Sequence, residues 1–440
     1  MNKQILQFLR TDQLTDLLNH SEDIIPRTES LDDSLTKSEI TIITGVRRSG
    51  KSTLIKSLIK TLPSREEIVY LNFEDPRLLY FQSGDFEILY DSWLESSSEN
   101  SPKIAIFDEI QNVEGWERWM NFFAEQKKFK VIITGSNSKL LSSELATHLT
   151  GRHKDIVLYP LSFREIALSS FPEIERKAED EAAVFNRKEF ATLKKLFDRY
   201  FQLGGFPRVW QSGDASLLGE YYNDILSRDI VRRYKLKQPQ LIARFGACIM
   251  SDLGRKINKS KLAQTIGIKE ANTANKYLGY FDECFLGKEV RKFDLSVRKQ
   301  LRNLSKFYSI DPVLARRIGF GHESKEGFYF ENLVLIELLR RGAQTYYWQQ
   351  EDLGEIDFVV ETPGEEYQLI QVAWSIEDQK TLTRELRSFK IFQEAFPKIK
   401  IQRKIIITVE LPSILEFPSD VSVIPFVRWA LANPTNTLAS

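Results

Sequence analysis

One stretch carries the clearest chemistry in the chain. Gly45-Val46-Arg47-Arg48-Ser49-Gly50-Lys51-Ser52 fits the pattern G-x-x-x-x-G-K-[ST] in full. Two glycines at this spacing let the backbone curl so that its N–H groups point inward at a phosphate. A helix opening at Ser52 and Thr53 adds the positive end of its dipole. Lys51 then reaches the β- and γ-phosphates of ATP, and Ser52 offers a hydroxyl to Mg²⁺. The pattern has meaning only with a strand before it and a helix after it. The apolar run at 40–44 and the helical spacing over 52–61 supply both.

A second stretch, 103–107 followed by Asp108-Glu109, is an apolar strand ending in two acids. Two carboxylates at the end of a buried strand are costly unless they serve a cation or a water. Asp108 fits a Mg²⁺ ligand, and Glu109 fits a base that orients the attacking water. A third strand, 131–134, ends in Gly135-Ser136-Asn137. Ser136 or Asn137 is expected to sense the γ-phosphate or the water. Arg152, after Gly151, reads either as an arginine finger on the transferring phosphate or as a surface arginine. The sequence leaves open whether such a finger acts in its own subunit or a neighbour's.

These groups need a scaffold. Short apolar runs at 40–44, 68–73, 103–107, 131–134 and 155–158 alternate with helical stretches. That alternation predicts an α/β fold with a parallel sheet covered on both faces. Residues 4–20 space Ile5, Leu6, Leu9, Leu14, Leu17 and Leu18 as a packing helix. Residues 163–235 read as helical, broken at Gly204-Gly205-Phe206-Pro207. From about 328 onward mixed α/β returns: a helix at 328–341, strands at 356–360 and 368–372, a helix at 382–396 and a strand at 404–409. The stretch after Ala432 reads as a loose tail.

Composition narrows the class. The 440 residues carry 61 lysines and arginines against 61 acids, so a uniformly basic coat or an acidic tail is excluded. Cys248 and Cys284 build no disulfide framework and have no CxxC partner. The 4 histidines form no HExxH, which argues against a hydrolase of that kind. The start has no apolar h-region, and no run of about 18 apolar residues exists. A cytoplasmic protein without membrane contact is the expectation.

The zero balance hides an asymmetry. Residues 228–306 hold 19 lysines and arginines against 7 acids, a local excess of +12 that the rest of the chain offsets. Within them, 261–268 reads as a helix with a turn at Gly267, 269–285 as a second helix, and Val290-Arg291-Lys292-Phe293 as a wing strand. This is a helix-turn-helix shape that can seat its second helix in duplex DNA. Asn272, Thr273, Asn275 and Lys276 would face the bases. Docking to protein competes for the same lysines.

Several of these stretches, in this order, resemble a family of bacterial and archaeal AAA-type ATPases. Its members join an N-terminal ATPase domain to a C-terminal domain of unknown function related to PD-(D/E)XK nucleases. The resemblance rests on Thr44 to Ser52, Leu71-Asn72-Phe73-Glu74-Asp75, Phe107-Asp108-Glu109-Ile110-Gln111, Gly135-Ser136-Asn137-Ser138 and Gly151-Arg152. It continues through Pro160-Leu161-Ser162-Phe163, Gly204 to Pro207 and Glu355-Ile356-Asp357-Phe358. It implies ATP binding and hydrolysis. For the C-terminal region it implies a nuclease-like fold in which a helix acid, an Asp and an (Asp/Glu)-x-Lys gather around Mg²⁺. Glu331 and Asp357 stand in the first two places. Gln371 replaces the second acid and can coordinate through its carbonyl, and Ala373 replaces the lysine. Lys380 is too distant along the chain to substitute. Weak or absent cleavage is therefore expected.

The expected organisation is a P-loop NTPase (AAA-like) domain with its N-terminal helix (1–165), a helical lid (166–238), a winged-helix-like basic module (239–306) and a nuclease-like domain (307–432). The expected function is an ATPase switch coupled to duplex DNA, able to form a homo-oligomer. Rival readings are an ATP-gated nuclease and a signalling scaffold whose winged helix docks protein.

Overall fold

A computed structural model of the chain describes residues 1–19, 24–31, 34–35, 39–62, 67–96, 103–126, 129–138, 153–179, 185–268, 270–321, 325–377, 379–410 and 417–432. They divide into two compact units, one from Met1 to Tyr159 together with Glu283–Phe285, and one made of the rest from Pro160 onward.

The first unit is built on β1 (Ile40–Thr44), β2 (Ile68–Asn72), β3 (Lys103–Asp108), β4 (Phe129–Gly135) and β5 (His153–Val157). All pair in parallel, in the order β2-β3-β4-β1-β5. Parallel neighbours cannot be joined by a hairpin, so helices must cross between them. These include α2 (Lys51–Thr61), α3 (Asp85–Ser96) and α4 (Trp116–Glu125), while α1 (Lys3–Asn19) precedes the first strand. The strands sort their side chains with a period of two. Ile42, Leu71, Phe107 and Ile133 pack with Phe86, Trp93, Met120 and Phe123 of α3 and α4. Ile43, Ile106 and Ile132 pack on the other side with Leu54, Ile55 and Ile59 of α2. Both faces are covered, which is why the strands read as unbroken apolar runs.

The second unit opens with helices α5 (Phe163–Ser170), α6 (Glu175–Glu179), α7 (Arg187–Leu203), α8 (Pro207–Ser212) and α9 (Leu217–Asp224), followed by a π-helical stretch at Ile225–Arg232. Asn186 and Glu189 form a capping box that starts α7, and Gly204, with φ 75°, ends it. Next come α10 (Pro239–Ser251), β6 (Lys256–Ile257), α11 (Lys259–Ile266), α12 (Ala271–Glu283), β7 (Gly287–Val290), α13 (Val297–Arg302) and β8 (Ser305–Ser309). The three strands form an antiparallel sheet ordered β6-β8-β7. Gly267, with φ 83°, closes α11. The strand expected at 290–293 lies earlier, as β7. Beyond it, Lys292 bridges to Tyr347, and Phe293 is buried against Trp348 and Phe392.

After α14 (Pro312–Ile318) and α15 (Glu326–Arg340) comes a mixed sheet of β9 (Gln344–Gln350), β10 (Gly354–Thr362), β11 (Glu366–Ala373), β12 (Lys400–Thr408) and β13 (Val421–Pro425). Helix α16 (Gln379–Ala395) lies between β11 and β12 in the chain, and α17 (Phe426–Leu431) follows β13. The order is β13-β12-β11-β10-β9, antiparallel through β9, β10 and β11 and parallel through β11, β12 and β13. The expected lid, basic module and C-terminal region thus fall in one compact unit, apart from Glu283–Phe285. No helix among the described residues is long and apolar enough to cross a membrane.

Candidate functional site

The register of the first sheet brings four strand ends level in two pairs. Thr44 pairs with Gly135, and Asn72 pairs with Asp108. The loop after β1 turns sharply: Gly45 has φ 150°, and a Cβ there would lie 2.2 Å from the Leu158 carbonyl oxygen. No other residue type fits. Gly50, at φ 100°, caps α2. Arg48 also has positive φ, 70°. Arg47 leaves the loop to pair with Glu74 at 2.6 Å. Val46 and Ser49 are buried, and Thr53 sits half-buried in the first turn of α2. The Ser49 and Thr44 hydroxyl oxygens are buried without a hydrogen-bond partner among the described residues. Unmet polar atoms in a loop of inward-turning backbone fit a phosphate.

Lys51 is folded onto its own loop. Its Nζ donates to the carbonyls of Gly45 at 3.1 Å and Val46 at 3.4 Å, and lies 3.5 Å from Glu109 Oε1. Ser52 donates to Asp108 Oδ2 at 2.7 Å. A hydroxyl and a carboxylate in contact form a hard-oxygen pair, which fits Mg²⁺ with waters completing its shell.

Asp108 is wholly buried. Tyr70 donates to its Oδ2 at 3.0 Å, and Thr134 donates to its Oδ1. Burial, then the neighbouring Glu109 charge, push its carboxyl up; Thr134, Ser52 and Lys51 oppose them. Burial also pushes on Glu109, but Lys51, Gln111, Arg47 and Ser136 outweigh it and hold that carboxyl below its ordinary range. Glu109 takes a left-handed backbone, φ 54° and ψ 46°. Its N–H donates to Thr134 at 3.1 Å, and Gln111 Nε2 donates to its Oε2 at 2.5 Å.

Lys51, Ser52, Asp108 and Glu109 therefore meet, with Ser136 hydrogen-bonded to Glu109. Asn137 is buried beside Ser136 at the end of β4. Arg152 lies outside the described residues. Sequence reasoning missed Tyr70, Thr134 and Gln111. For Thr134 the signal was a polar residue inside an apolar strand; for Tyr70 and Gln111 nothing local marked the role.

A second polar cavity, of about 920 Å³, lies in the second unit. Glu331 of α15, Glu355 and Asp357 of β10 and Glu385 of α16 line it, along with Gln371, and so does Lys306 of β8. Lys306 is buried, 2.6 Å from Glu355 and 3.2 Å from Glu331, and Tyr308 donates to Glu331 at 2.5 Å. Burial opposes the Lys306 charge, but Glu331, Tyr308, Glu355 and Asp357 outweigh it and hold the amine well above its ordinary value. Asp357 is pushed well up by burial and by Glu331.

Gln371, which stands in the place of the second acid, is hydrogen-bonded at both ends of its amide. Its Oε1 accepts from Asp357 N at 2.9 Å, and its Nε2 donates to Glu355 O and Glu385 Oε2, each at 2.7 Å. With both ends of the amide engaged, it clamps β10, β11 and α16. Among the described residues no three His, Cys, Asp or Glu side chains close into a metal-holding group. Arg255, Lys256, Arg384 and Arg387 also line the cavity, whereas Lys380 does not.

Residues 37–167 match the AAA domain family, and 194–324 and 326–426 match two domains of unknown function, DUF8612 and DUF4143. The first unit is an AAA-type ATPase domain on a parallel α/β sheet. An uncharacterised protein of Haemophilus influenzae is 30% identical over 404 residues, covering 89% of this chain and 94% of its own. An uncharacterised protein of Methanocaldococcus jannaschii is 29% identical over 422 residues, covering 90% and 89%. The chain belongs to the family of the Haemophilus influenzae protein. Among solved structures, the Aeropyrum pernix Orc1 protein in complex with DNA aligns at TM-score 0.32 and 13% identity, over 71% of this chain and 96% of that one. A signal-transduction ATPase with numerous domains from Pyrococcus horikoshii aligns at 0.27 and 14%, over 72% and 46%.

Proposed function

We propose that the protein binds ATP with Mg²⁺, hydrolyses it, and uses the cycle as a conformational switch coupled to duplex DNA. The observation that carries the ATPase reading is the meeting of Lys51, Ser52, Asp108 and Glu109 at one edge of the sheet. Lys51 exchanges the Gly45 and Val46 carbonyls for the β- and γ-phosphates. Ser52 and Asp108 hold Mg²⁺, which neutralises charge developing on the phosphates. Glu109, released by Lys51, accepts a proton from the attacking water, and Ser136 and Asn137 steady that carboxylate and the phosphate. Catalysis of this kind is mostly positioning and charge stabilisation.

The DNA coupling is supported by the excess of 12 positive charges over residues 228–306. It is also supported by the order helix, strand, two helices, then two strands with the short α13 between them, in sheet order β6-β8-β7, which fits a winged helix. Asn272, Asn275 and Lys276 are exposed on α12, and Thr273 is half-buried. Turnover of ATP by the full chain, with and without duplex DNA at low salt, tests both parts. Stimulation that fades with salt supports the coupling. Flat rates remove the DNA and leave the ATPase. No turnover under either condition, or equal turnover by Lys51→Ala, removes the ATPase.

Two rivals have observations of their own. Leu295, Val297, Leu301 and Leu304, between β7 and β8, are exposed. They favour a protein partner, and nucleotide-dependent self-association with DNA-insensitive turnover would support a scaffold. For a nuclease, Lys306 supplies from β8 the positive charge that Ala373 lacks. Mg²⁺-dependent cleavage of plasmid DNA, lost in Asp357→Ala, would support that reading.

A further inference from the structure

Gln111 is singled out by two observations. Its Nε2 donates to Glu109 Oε2 at 2.5 Å. A carboxylate only accepts, so this contact fixes which end of the amide is nitrogen. Oε1 must then face away from the contact, and it is buried with no hydrogen-bond partner among the described residues. A buried carbonyl oxygen beside a carboxylate is an acceptor waiting for a donor.

The backbone brings the two side chains together. Glu109 is held in the left-handed region, which strains a residue bearing a Cβ. A single 3₁₀ turn, Ile110–Asn112, follows at once. Asn112 N donates to Glu109 O at 3.2 Å, and Asn112 Nδ2 ties the turn to Phe73 O at 3.3 Å. In an extended strand, positions 109 and 111 would lie almost two residues' rise apart. The turn folds one back over the other.

Water attacking a phosphorus must aim a lone pair at it, and both its O–H bonds then need acceptors. Glu109 provides one. We propose that Gln111 Oε1 provides the other, so that Glu109 and Gln111 together orient the attacking water. This rests on the reading that the first unit hydrolyses ATP. In the step, the water oxygen bonds to the γ-phosphorus. The bond to the bridging oxygen breaks, and its electron pair leaves on ADP. One water proton passes to Glu109. The other stays on the oxygen that becomes part of inorganic phosphate, its direction held by Gln111.

The test measures ATP affinity, kcat and melting temperature on the full chain for wild type, Gln111→Leu and Glu109→Gln, plus the double variant. Gln111→Leu is expected to keep its melting temperature and its ATP Kd within about twofold. Its kcat should fall about tenfold or more, as for one hydrogen bond lost in the transition state. Because both residues act on one water, the double variant should be little slower than Glu109→Gln alone. If Gln111→Leu melts lower, Gln111→Met, which keeps the unbranched stem, replaces it. Wild-type kcat in the variant overturns the proposal. So does a parallel loss of affinity and kcat, or fully additive losses in the double variant. Absence of turnover in the wild type overturns the ATPase reading itself.

Discussion

Two neighbouring carboxylates meet opposite treatment. Asp108 is gripped by donors from Tyr70, Thr134 and Ser52, while Glu109 faces Lys51 and Gln111. The first is held by three hydroxyl donors, and the second by an ammonium and an amide, which suits the proposed split between holding a cation and orienting a water. Glu109→Gln should keep nucleotide affinity and lose about 100-fold or more in kcat, the scale of a lost general base, checked by equilibrium binding beside turnover. Lys51→Ala should instead lose affinity. Tyr70→Phe removes one donor from buried Asp108 and should lower unfolding stability by about 1 kcal/mol, read from denaturant midpoints. Lys51, Ser52 and the acid pair were legible because contiguous residues and a flanking strand define them. Tyr70 and Thr134 were not, because their roles come from strand register. Gln111 needed the left-handed turn, and Lys306 lies 25 residues before the acid that it faces.

The same contrast holds for strands and helices. The buried strands of the first sheet announce themselves as apolar runs, and α11 announces its end by Gly267. β8 does not: Ser-Lys-Phe-Tyr-Ser looks solvated, yet every position from Ser305 to Ser309 is buried. Its Ser305 and Lys306 side chains donate to Glu289 and Glu331, and Ser309 N donates to Asn332 Oδ1, rather than to water. Just beyond it, Asp311 caps α14 through Val313 N and Leu314 N and also accepts from Gly205 N at 2.7 Å. A Cβ on Gly204 would meet this carboxylate at 2.4 Å, so Gly204→Ala should destabilise through both collision and positive φ. Asp311→Ala should cost about 2 kcal/mol at pH 7, for the lost cap and an unmet buried N–H. Burial raises the Asp311 carboxyl, so the folded state holds this proton more tightly than the unfolded chain. The resulting stability is fully present below the ordinary aspartate pKa and is lost as pH rises through the raised value. Denaturation midpoints should therefore show wild type gaining on Asp311→Ala as pH falls from 7 toward 4.

Across the chain, nucleotide should act as a stabiliser by mass action. ATP with Mg²⁺ at 100 times Kd should add about 2.7 kcal/mol to the first unit, and Lys51→Ala should abolish the shift in calorimetry. Duplex affinity, if the basic module reads DNA, should fall steeply between 50 and 200 mM salt and be weakened by Lys261→Glu with Lys276→Glu. The zero net charge of the whole sequence forecasts neither behaviour, because opposite charges are kept in different stretches. Lys306 carries a last consequence. The sequence invites a cut at 306, yet its buried ammonium belongs with Glu331 and Glu355. Severing the chain there would leave a cation on one fragment and its counter-charges on the other, and Phe293 would be pulled from its aromatic neighbours. A cut at that point would divide a buried ion-pair cluster, and the Gly205–Asp311 contact reaches further back still, so the second unit, from Pro160 onward, is expected to be inherited as one block.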